Sequence, residues 1–153
     1  MNIITISFDT CAEIWKEFLW PGRGSAIETH SAWTWPFEGD PESVDMSIFN
    51  LPAIYHACEV DGKIAGVNSA HGTSPWQVRS RGLWVDPAYR GQGFAQALFD
   101  AQRDWARAQG AEMIWSIPRM SSLPSYVRAG FQPVGDPFGT ETSELNVYAS
   151  QRL

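Results

Sequence analysis

The chain has 153 residues, of which 44% are hydrophobic, so it is long enough for one domain, residues 1–153, with a full core. Its formal net charge of −6 at pH 7 argues against a nucleic-acid-binding protein, since such proteins need basic surfaces. Eight tryptophans are many for this length, and we expect aromatic side chains to fill a core or to line a pocket.

The cysteine content and the length of the apolar segments further limit the class of protein and its cellular location. Cys11 and Cys58 provide neither a disulfide framework nor a metal site, and both are expected to be small buried residues. The first residues have neither the basic region nor the long apolar core of a signal peptide. No stretch approaches the roughly 18 apolar residues of a membrane span. We therefore expect a cytoplasmic protein with no metal ion, no membrane and no nucleic acid as partner.

The N-terminal third is predicted to contain a strand, a helix and a long irregular segment. Residues 3–8 alternate apolar and polar side chains with the period of a strand. Asp9 or Thr10 then caps a helix, which the Pro21-Gly22 pair ends. Residues 21–52 are rich in glycine, proline and aromatic residues, and Asp40-Pro41 is expected to start a short helix within them.

Three strands are predicted next, at residues 53–60, 63–70 and 77–85. Asp61-Gly62 forms the tight hairpin turn between the first two, and residues 71–75 form the loop before the third. Such short connections predict an antiparallel meander.

The C-terminal half alternates helices and strands. A helix ends at Gly110 and has an apolar face made of Phe94, Leu98, Ala101, Trp105 and Ala108. A short helix is predicted at 123–129, and strands are predicted at 113–117, 131–134 and 145–149. Because a helix crosses over between them, strands 77–85 and 113–117 should lie parallel, in a mixed α/β fold.

The segment between strand 77–85 and that helix has the character of an anion site. Glycines let backbone N–H groups converge, the helix N-terminus adds unpaired donors, and Arg90 adds a cation, so a pyrophosphate is the expected guest. A nucleotide triphosphate loop would need a Gly-Lys-Ser/Thr ending, which is absent. A dinucleotide fingerprint would need a third glycine where Gln96 stands.

Two strings resemble a known family. LWVDPAYRGQGFAQALF, with Arg-x-x-Gly-x-Ala at positions 90–95, resembles the acyl-CoA loop of the GNAT superfamily of N-acyltransferases. Residues 126–131 resemble that family's Tyr-x-x-x-Gly-Phe string. The resemblance covers nearly the whole chain. It implies a mixed sheet with an antiparallel N-terminal meander, a central parallel strand pair splayed around the coenzyme, and flanking helices.

The same resemblance implies the coenzyme site. Its members are Leu83, Trp84, Val85, Arg90, Gly91, Gln92, Gly93, Phe94, Ala95 and Arg128. The backbone of residues 83–85 would bind the pantetheine arm, and an N–H there would stabilise the oxyanion. The alternative is that the side chains of Leu83 and Val85 belong to the core, which is compatible with backbone binding, and that Arg128 is an exposed charge on the helix.

Tyr126 is the predicted catalytic residue, since a phenol can donate a proton to the departing thiolate. The alternative is an aromatic side chain that packs the short helix onto the sheet. Many family members have an asparagine seven residues before this tyrosine, and Arg119 stands there instead. Arg119 either contacts the coenzyme or marks a rearranged entry to the helix.

The general base is not evident from the sequence. Residues 77–81 include no carboxylate, which leaves Glu59, His56, His71 or a water relay.

The acceptor pocket is expected at residues 21–52 and near Phe138, from His30, Trp33, Trp35 and Phe138, although these aromatic side chains could also simply cover the sheet. Acidic residues make this segment locally negative and favour an amine acceptor over a carboxylated one. They are Glu28, Glu38, Asp40, Glu42 and Asp45.

The family resemblance therefore predicts an acetyl-CoA-dependent N-acetyltransferase. Acetyl transfer to a primary amine of a small molecule or peptide would be direct, because no activated Cys or Ser stands in a recognisable constellation. The protein would be a monomer or homodimer. The alternative is a non-catalytic acyl-CoA sensor or interaction domain on the same fold.

Overall fold

The computed structural model describes residues 1–38, 43–139 and 144–153. Within them the chain forms a seven-stranded sheet with three α-helices. The strands are β1 (Asn2–Thr5), β2 (Ala53–Val60), β3 (Lys63–Ser74), β4 (Gln77–Val85), β5 (Met113–Ser116), β6 (Gln132–Phe138) and β7 (Asn146–Arg152). The helices are α1 (Phe8–Ile14), which continues as a π-helical turn (Trp15–Leu19), α2 (Phe94–Ala108) and α3 (Leu123–Arg128). In this part of the chain no helix is both long and apolar enough to cross a bilayer.

The sheet order is β1-β2-β3-β4-β5-β7-β6. The β2–β3–β4 meander is antiparallel, and β4 and β5 are the parallel pair that the α2 crossover predicts. The mixed α/β prediction is thereby confirmed. The connection through α2 buries its apolar face on β2, β3 and β4, where Leu98 and Phe99 are inaccessible to solvent.

Strands β4 and β5 pair over only three residues each, from Gln77 opposite Met113 to Arg79 opposite Trp115. After the backbone pairing ends, a side chain still connects the two strands: the Ser116 hydroxyl donates to the Ser80 carbonyl oxygen at 2.7 Å. Strand β4 then continues to Val85, whereas β5 ends at Ser116. The two strands therefore part, as the family resemblance predicts.

Helix α1 begins earlier than predicted. Its N-cap is Ser7, whose hydroxyl accepts from the Thr10 N–H at 3.1 Å, so neither Asp9 nor Thr10 is the cap. The strand before it ends at Thr5 rather than at residue 8. The predicted helix start at Asp40-Pro41 lies outside the described residues, and a 3₁₀ helix (Met46–Asn50) capped by Asp45 follows that segment.

Strands β3 and β6 are longer than predicted because their partners extend them. Residues 71–74, predicted as a loop, belong to β3 and pair with residues 77–79 of β4. Strand β6 reaches Phe138, opposite Asn146, through a register irregularity after Val134. Pairing across the sheet thus overrides the local loop signals of glycine and proline.

The buried face of α2 is shifted from the predicted apolar face. Ala108 is exposed, whereas Phe99, Gln102 and Ala106 are buried. The Gln102 side-chain oxygen accepts from the Asn68 amide at 3.0 Å and from the Ser80 hydroxyl at 2.7 Å. This polar network joins α2 to β3 and β4 through the Gln102 side-chain oxygen, whereas the buried Gln102 Nε2 has no hydrogen-bond partner among the described residues.

Strand β4 bulges where it leaves β5. Asn68 of β3 faces both Gly82 and Leu83, because the register steps from Trp84 opposite Val67 to Arg81 opposite Ser69. Gly82 has φ +81°, and its carbonyl oxygen accepts from the fully buried Trp15 indole N–H at 2.8 Å. A Cβ at Gly82 would collide with the Trp15 indole. The π-helical turn and the bulge are therefore locked together.

We expect Gly82→Ala to destabilise the protein by about 1–3 kcal/mol more than Gly110→Ala does, because overpacking a core contact costs about that much. Gly110 is a matched control, since its φ is +82° and a Cβ there would meet open space. Both variants carry the strain of positive φ, and only one adds a collision. Urea unfolding measures the difference, and equal losses in the two variants would contradict the Trp15–Gly82 lock.

Candidate active site

A cavity of about 350 Å³ lies at the end of β4 that has parted from β5. Its walls come from β4, the segment after β5, α3, β7, the π-helical turn and the irregular N-terminal segment. The lining residues are Leu19, Trp20, Trp33, Arg79, Gly82, Leu83, Ile117, Pro118, Arg119, Ser122, Tyr126, Phe138, Asn146 and Tyr148. A more open cleft of about 600 Å³ lies between α1 and residues 23–27, but it includes neither Tyr126 nor the glycine loop.

The glycine loop directly follows β4. Asp86 caps the turn Pro87–Tyr89 by accepting from the Ala88 N–H at 2.9 Å. Gly91 and Gly93 have φ of +75° and +85°, and Gly93 is the N-cap residue of α2. A Cβ on either glycine would meet open space. The loop therefore presents bare backbone to solvent at a helix N-terminus.

Donors are available in this loop. Among the described residues, none accepts a hydrogen bond from the backbone N–H of Gly91, Gln92 or Gly93. Arg90 is exposed, and its Nε donates to the Val85 carbonyl oxygen at 3.0 Å, which holds the guanidinium beside the loop. Free amides, a helix N-terminus and a held cation together suit a phosphate group.

Tyr126 lies on α3 at the cavity wall and is 4% exposed. Its ring packs edge-on against Phe99 at 4.8 Å and against Phe131 at 5.4 Å between centroids. Burial raises the pKa of Tyr126, and the Ser116 hydroxyl and the Arg79 and Arg119 guanidiniums partly offset that rise. The phenol is therefore protonated at neutral pH, as a proton donor must be. This geometry shows the packing role and is compatible with the predicted donor role.

Of the four residues predicted to line the acceptor pocket, two line the cavity and two do not. Trp33 and Phe138 line the cavity. Trp35 is 5% exposed and packs on Trp115 and Tyr148 at 5.6 and 5.8 Å, so it supports the wall from behind. His30 is buried, and its Nε2–H donates to the Leu51 carbonyl oxygen at 2.7 Å. Trp35 and His30 are therefore outside the cavity, because their side chains serve the core.

The candidate bases also lie elsewhere. Burial lowers the pKa of His71 to about 3, and its Nδ1–H donates to the Gly72 carbonyl oxygen at 2.9 Å. Burial also lowers the pKa of His56. Neither imidazole nor Glu59 is among the lining residues. Of the residues that the structure describes, none contributes a carboxylate or an imidazole to the cavity wall.

The remaining predicted coenzyme residues lie on different elements of the fold. Leu83 lines the cavity, whereas Trp84 is buried and stacks on Phe18 at 4.8 Å, so its side chain is a core element. Arg128 is exposed, and its guanidinium donates to the Ser125 hydroxyl at 3.2 Å. Arg119 lines the cavity, and its guanidinium donates to the Leu19 carbonyl oxygen at 3.3 Å.

Sequence reasoning missed several lining residues, among them Arg79, Tyr148 and the aromatic Trp20. They are far apart in sequence, on β4, on β7 and directly after the π-helical turn, and only tertiary packing brings them to one cavity. One signal was present, since a glycine inside a strand pattern, here Gly82, commonly marks a bulge.

The sequence model of the acetyltransferase (GNAT) family matches residues 13–131. The chain belongs to this family. GNAT acetyltransferases use acetyl-CoA and act on amine acceptors, so this protein is an acetyl-CoA-dependent acetyltransferase, and the non-catalytic alternative is set aside. A search among curated proteins finds no match for this chain.

Solved structures share the fold. An aminoglycoside 6'-N-acetyltransferase complexed with coenzyme A is 11% identical, with a TM-score of 0.69 over 99% of this chain and 97% of that one. An acetyltransferase from Bacillus cereus is 19% identical, with a TM-score of 0.61 over 67% of this chain and 74% of that one. Nourseothricin acetyltransferase is 24% identical, with a TM-score of 0.57 over 65% of each chain. At these identities the likeness concerns the fold alone.

The residues present fit coenzyme A. Open glycines at positive φ, unpaired loop amides and the Arg90 guanidinium match a pyrophosphate, and the parted strand offers backbone for an extended arm. No described residues group three or more His, Cys, Asp or Glu side chains as a metal site would require.

We expect Gly93→Asp to weaken coenzyme A binding by at least ~2 kcal/mol, because it puts a side chain and a negative charge where a phosphate needs close backbone approach. Gly110→Asp is the matched control: Gly110 follows the other end of α2, with nearly the same φ and the same open surroundings. Calorimetry should show the loss only in Gly93→Asp. Equal affinities in two folded variants would remove the loop from the coenzyme site.

Proposed function

We propose that the protein transfers an acetyl group from acetyl-CoA directly to the primary amine of an acceptor seated in the cavity beside Tyr126. The observation that carries the proposal is that one strand, β4, connects the coenzyme-binding loop with the cavity for the acceptor. Strand β4 lines the cavity through Leu83 and runs straight into the anion-binding loop. A coenzyme held by the loop and by the backbone of residues 83–85 would have its reactive end at the cavity.

Acetyl-CoA supplies an activated acetyl thioester. The loop at residues 90–95 would bind its phosphates, and the parted edge of β4 would hold its arm as a neighbouring strand would. Tyr126, protonated and buried in the cavity wall, would donate a proton to the sulfur as it departs.

Direct transfer is supported by the state of both thiols. Cys11 and Cys58 are free and fully buried, and burial raises their pKa values to about 12 and about 11. A thiolate is the nucleophilic form, and neither cysteine reaches it at neutral pH. Two free buried thiols also agree with a reducing, cytoplasmic setting, and the single sheet supports one domain.

The acceptor amine must lose a proton. Since no carboxylate or imidazole of the described residues lines the cavity, we propose that water removes the proton or that the amine enters neutral. The rate should then rise with pH toward the pKa of the acceptor amine itself.

Release of free thiol from acetyl-CoA, measured against a panel of primary amines, tests this function. With an accepted amine, Tyr126→Phe should lower kcat by about 10²–10⁴, the usual worth of a positioned proton donor. The KM for acetyl-CoA should change little, because the hydroxyl acts when charge develops on sulfur. The ring and its contacts with Phe99 and Phe131 remain, so stability should hold.

Tyr148→Phe provides the comparison, since Tyr148 lines the same cavity from β7. Turnover by Tyr126→Phe at the wild-type rate, with chemistry rate-limiting, would leave Tyr126 a packing residue. An equal fall in both variants would likewise argue against a specific donor.

A further inference from the structure

Arg79 is a cation at the cavity with no carboxylate partner among the described residues. It is the last β4 residue paired with β5 and it lines the cavity. Its Nη1 donates to the Ser31 hydroxyl at 2.8 Å, and its guanidinium lies 5.2 Å from the centre of the Trp115 ring. Its Nε is buried and unpartnered within the part of the chain described. The three ion pairs formed there involve other arginines.

The guanidinium of Arg79 remains protonated in this environment. Burial and the neighbouring Arg81 guanidinium lower the pKa of Arg79 to about 9, which still leaves it protonated at neutral pH. The other ionisable groups that face it are the phenols of Tyr126 and Tyr148 and the imidazole of His71, and all three are neutral there. A partly desolvated cation without a counter-ion is unfavourable, so an anion that reached it would be held strongly.

Arg119 adds a second guanidinium at the cavity rim. Arg119 interacts electrostatically with the exposed Glu144 carboxylate, which accepts a hydrogen bond from the Ser121 N–H. The cavity thus has cations on two walls.

The expected acidity of the N-terminal segment is not found at the cavity. The Glu38 carboxylate pairs with Arg152 at 3.8 Å, and Asp45 caps the 3₁₀ helix through the Ser47 N–H. Glu28 is exposed, and its backbone carbonyl accepts from Arg81. Asp40 and Glu42 lie outside the described residues. The prediction that this segment favours an uncarboxylated amine therefore lacks support from the described part.

We propose that the acceptor is a small amine that carries a carboxylate and an apolar body, of the amino-acid class, and that Arg79 binds the carboxylate. The proposal rests on the proposed function, since it names the acceptor of that reaction. Guanidinium donors match the planar carboxylate, and the rings of Trp33, Phe138 and Tyr148 offer an apolar wall. A polycationic acceptor would meet repulsion from Arg79 and Arg119.

The first experiment measures binding without turnover. N-acetylphenylalanine, a product of the proposed class, and its neutral carboxamide are titrated into the protein with saturating coenzyme A, and tryptophan fluorescence is followed. Trp20 and Trp33 line the cavity and Trp115 lies against Arg79, so occupancy should alter emission. We expect the carboxylate to bind at least tenfold more tightly than the carboxamide. Equal affinities in the wild-type protein would overturn the proposal without any variant.

Variants then assign the preference to Arg79. Arg79→Met should abolish the tenfold ratio, and Arg79→Lys should restore part of it. Arg107→Met is the control, because Arg107 is an exposed α2 residue paired with Asp104. A ratio that persists in folded Arg79→Met would overturn the role of this residue.

A kinetic arm separates this proposal from the proposed function. With acetyl-CoA, kcat/KM for phenylalanine should exceed that for phenethylamine and for spermidine at least tenfold. Faster acetylation of phenethylamine or spermidine would leave an N-acetyltransferase and overturn the carboxylate proposal. Failure to acetylate any amine would overturn the proposed function, while the binding ratio would still decide whether the cavity takes a carboxylate.

Discussion

The short pairing between β4 and β5 is the constraint on which the site depends. Parallel strands normally share hydrogen bonds along their length, yet here the ladder ends after Arg79 and Trp115. The bulge at Gly82 turns β4 away, and the buried Trp15 indole holds the bulge by donating its N–H to the Gly82 carbonyl oxygen. One backbone edge and one cavity are thereby exposed in the middle of an otherwise continuous sheet.

The two ends of this opening differ in how they present positive charge. At the loop the charge is distributed over backbone amides, a helix N-terminus and an exposed Arg90, which suits a phosphate that arrives from solvent. In the cavity the charge is carried by guanidinium groups, above all by Arg79, which packs on Trp115 and has a buried Nε. An acidic protein thus has two local cationic sites, and net charge alone indicated neither.

The sequence predicted those features that depend on neighbouring residues. The loop at residues 90–95 and the crossover to β5 are local patterns, and both follow from glycines, helical periodicity and connection length. Features made by distant contacts were missed. Trp15 meets Gly82 across 67 residues, Asn68 and Ser80 donate to the side-chain oxygen of the buried Gln102, and β3 reaches Ser74 because β4 pairs with it. His30 and Trp35 lie in an aromatic-rich segment of the kind that lines pockets. In the fold, however, their side chains are packed in the core.

Hydrogen exchange on adding acetyl-CoA is the most direct test that the coenzyme lies in the opening between β4 and β5. The amides of residues 83–85 and 91–95 should exchange more slowly, because the arm and the phosphates cover or bond them, and those of β2 should be unchanged. Unaltered exchange at both segments, or slowing confined to the cleft between α1 and residues 23–27, would contradict the account.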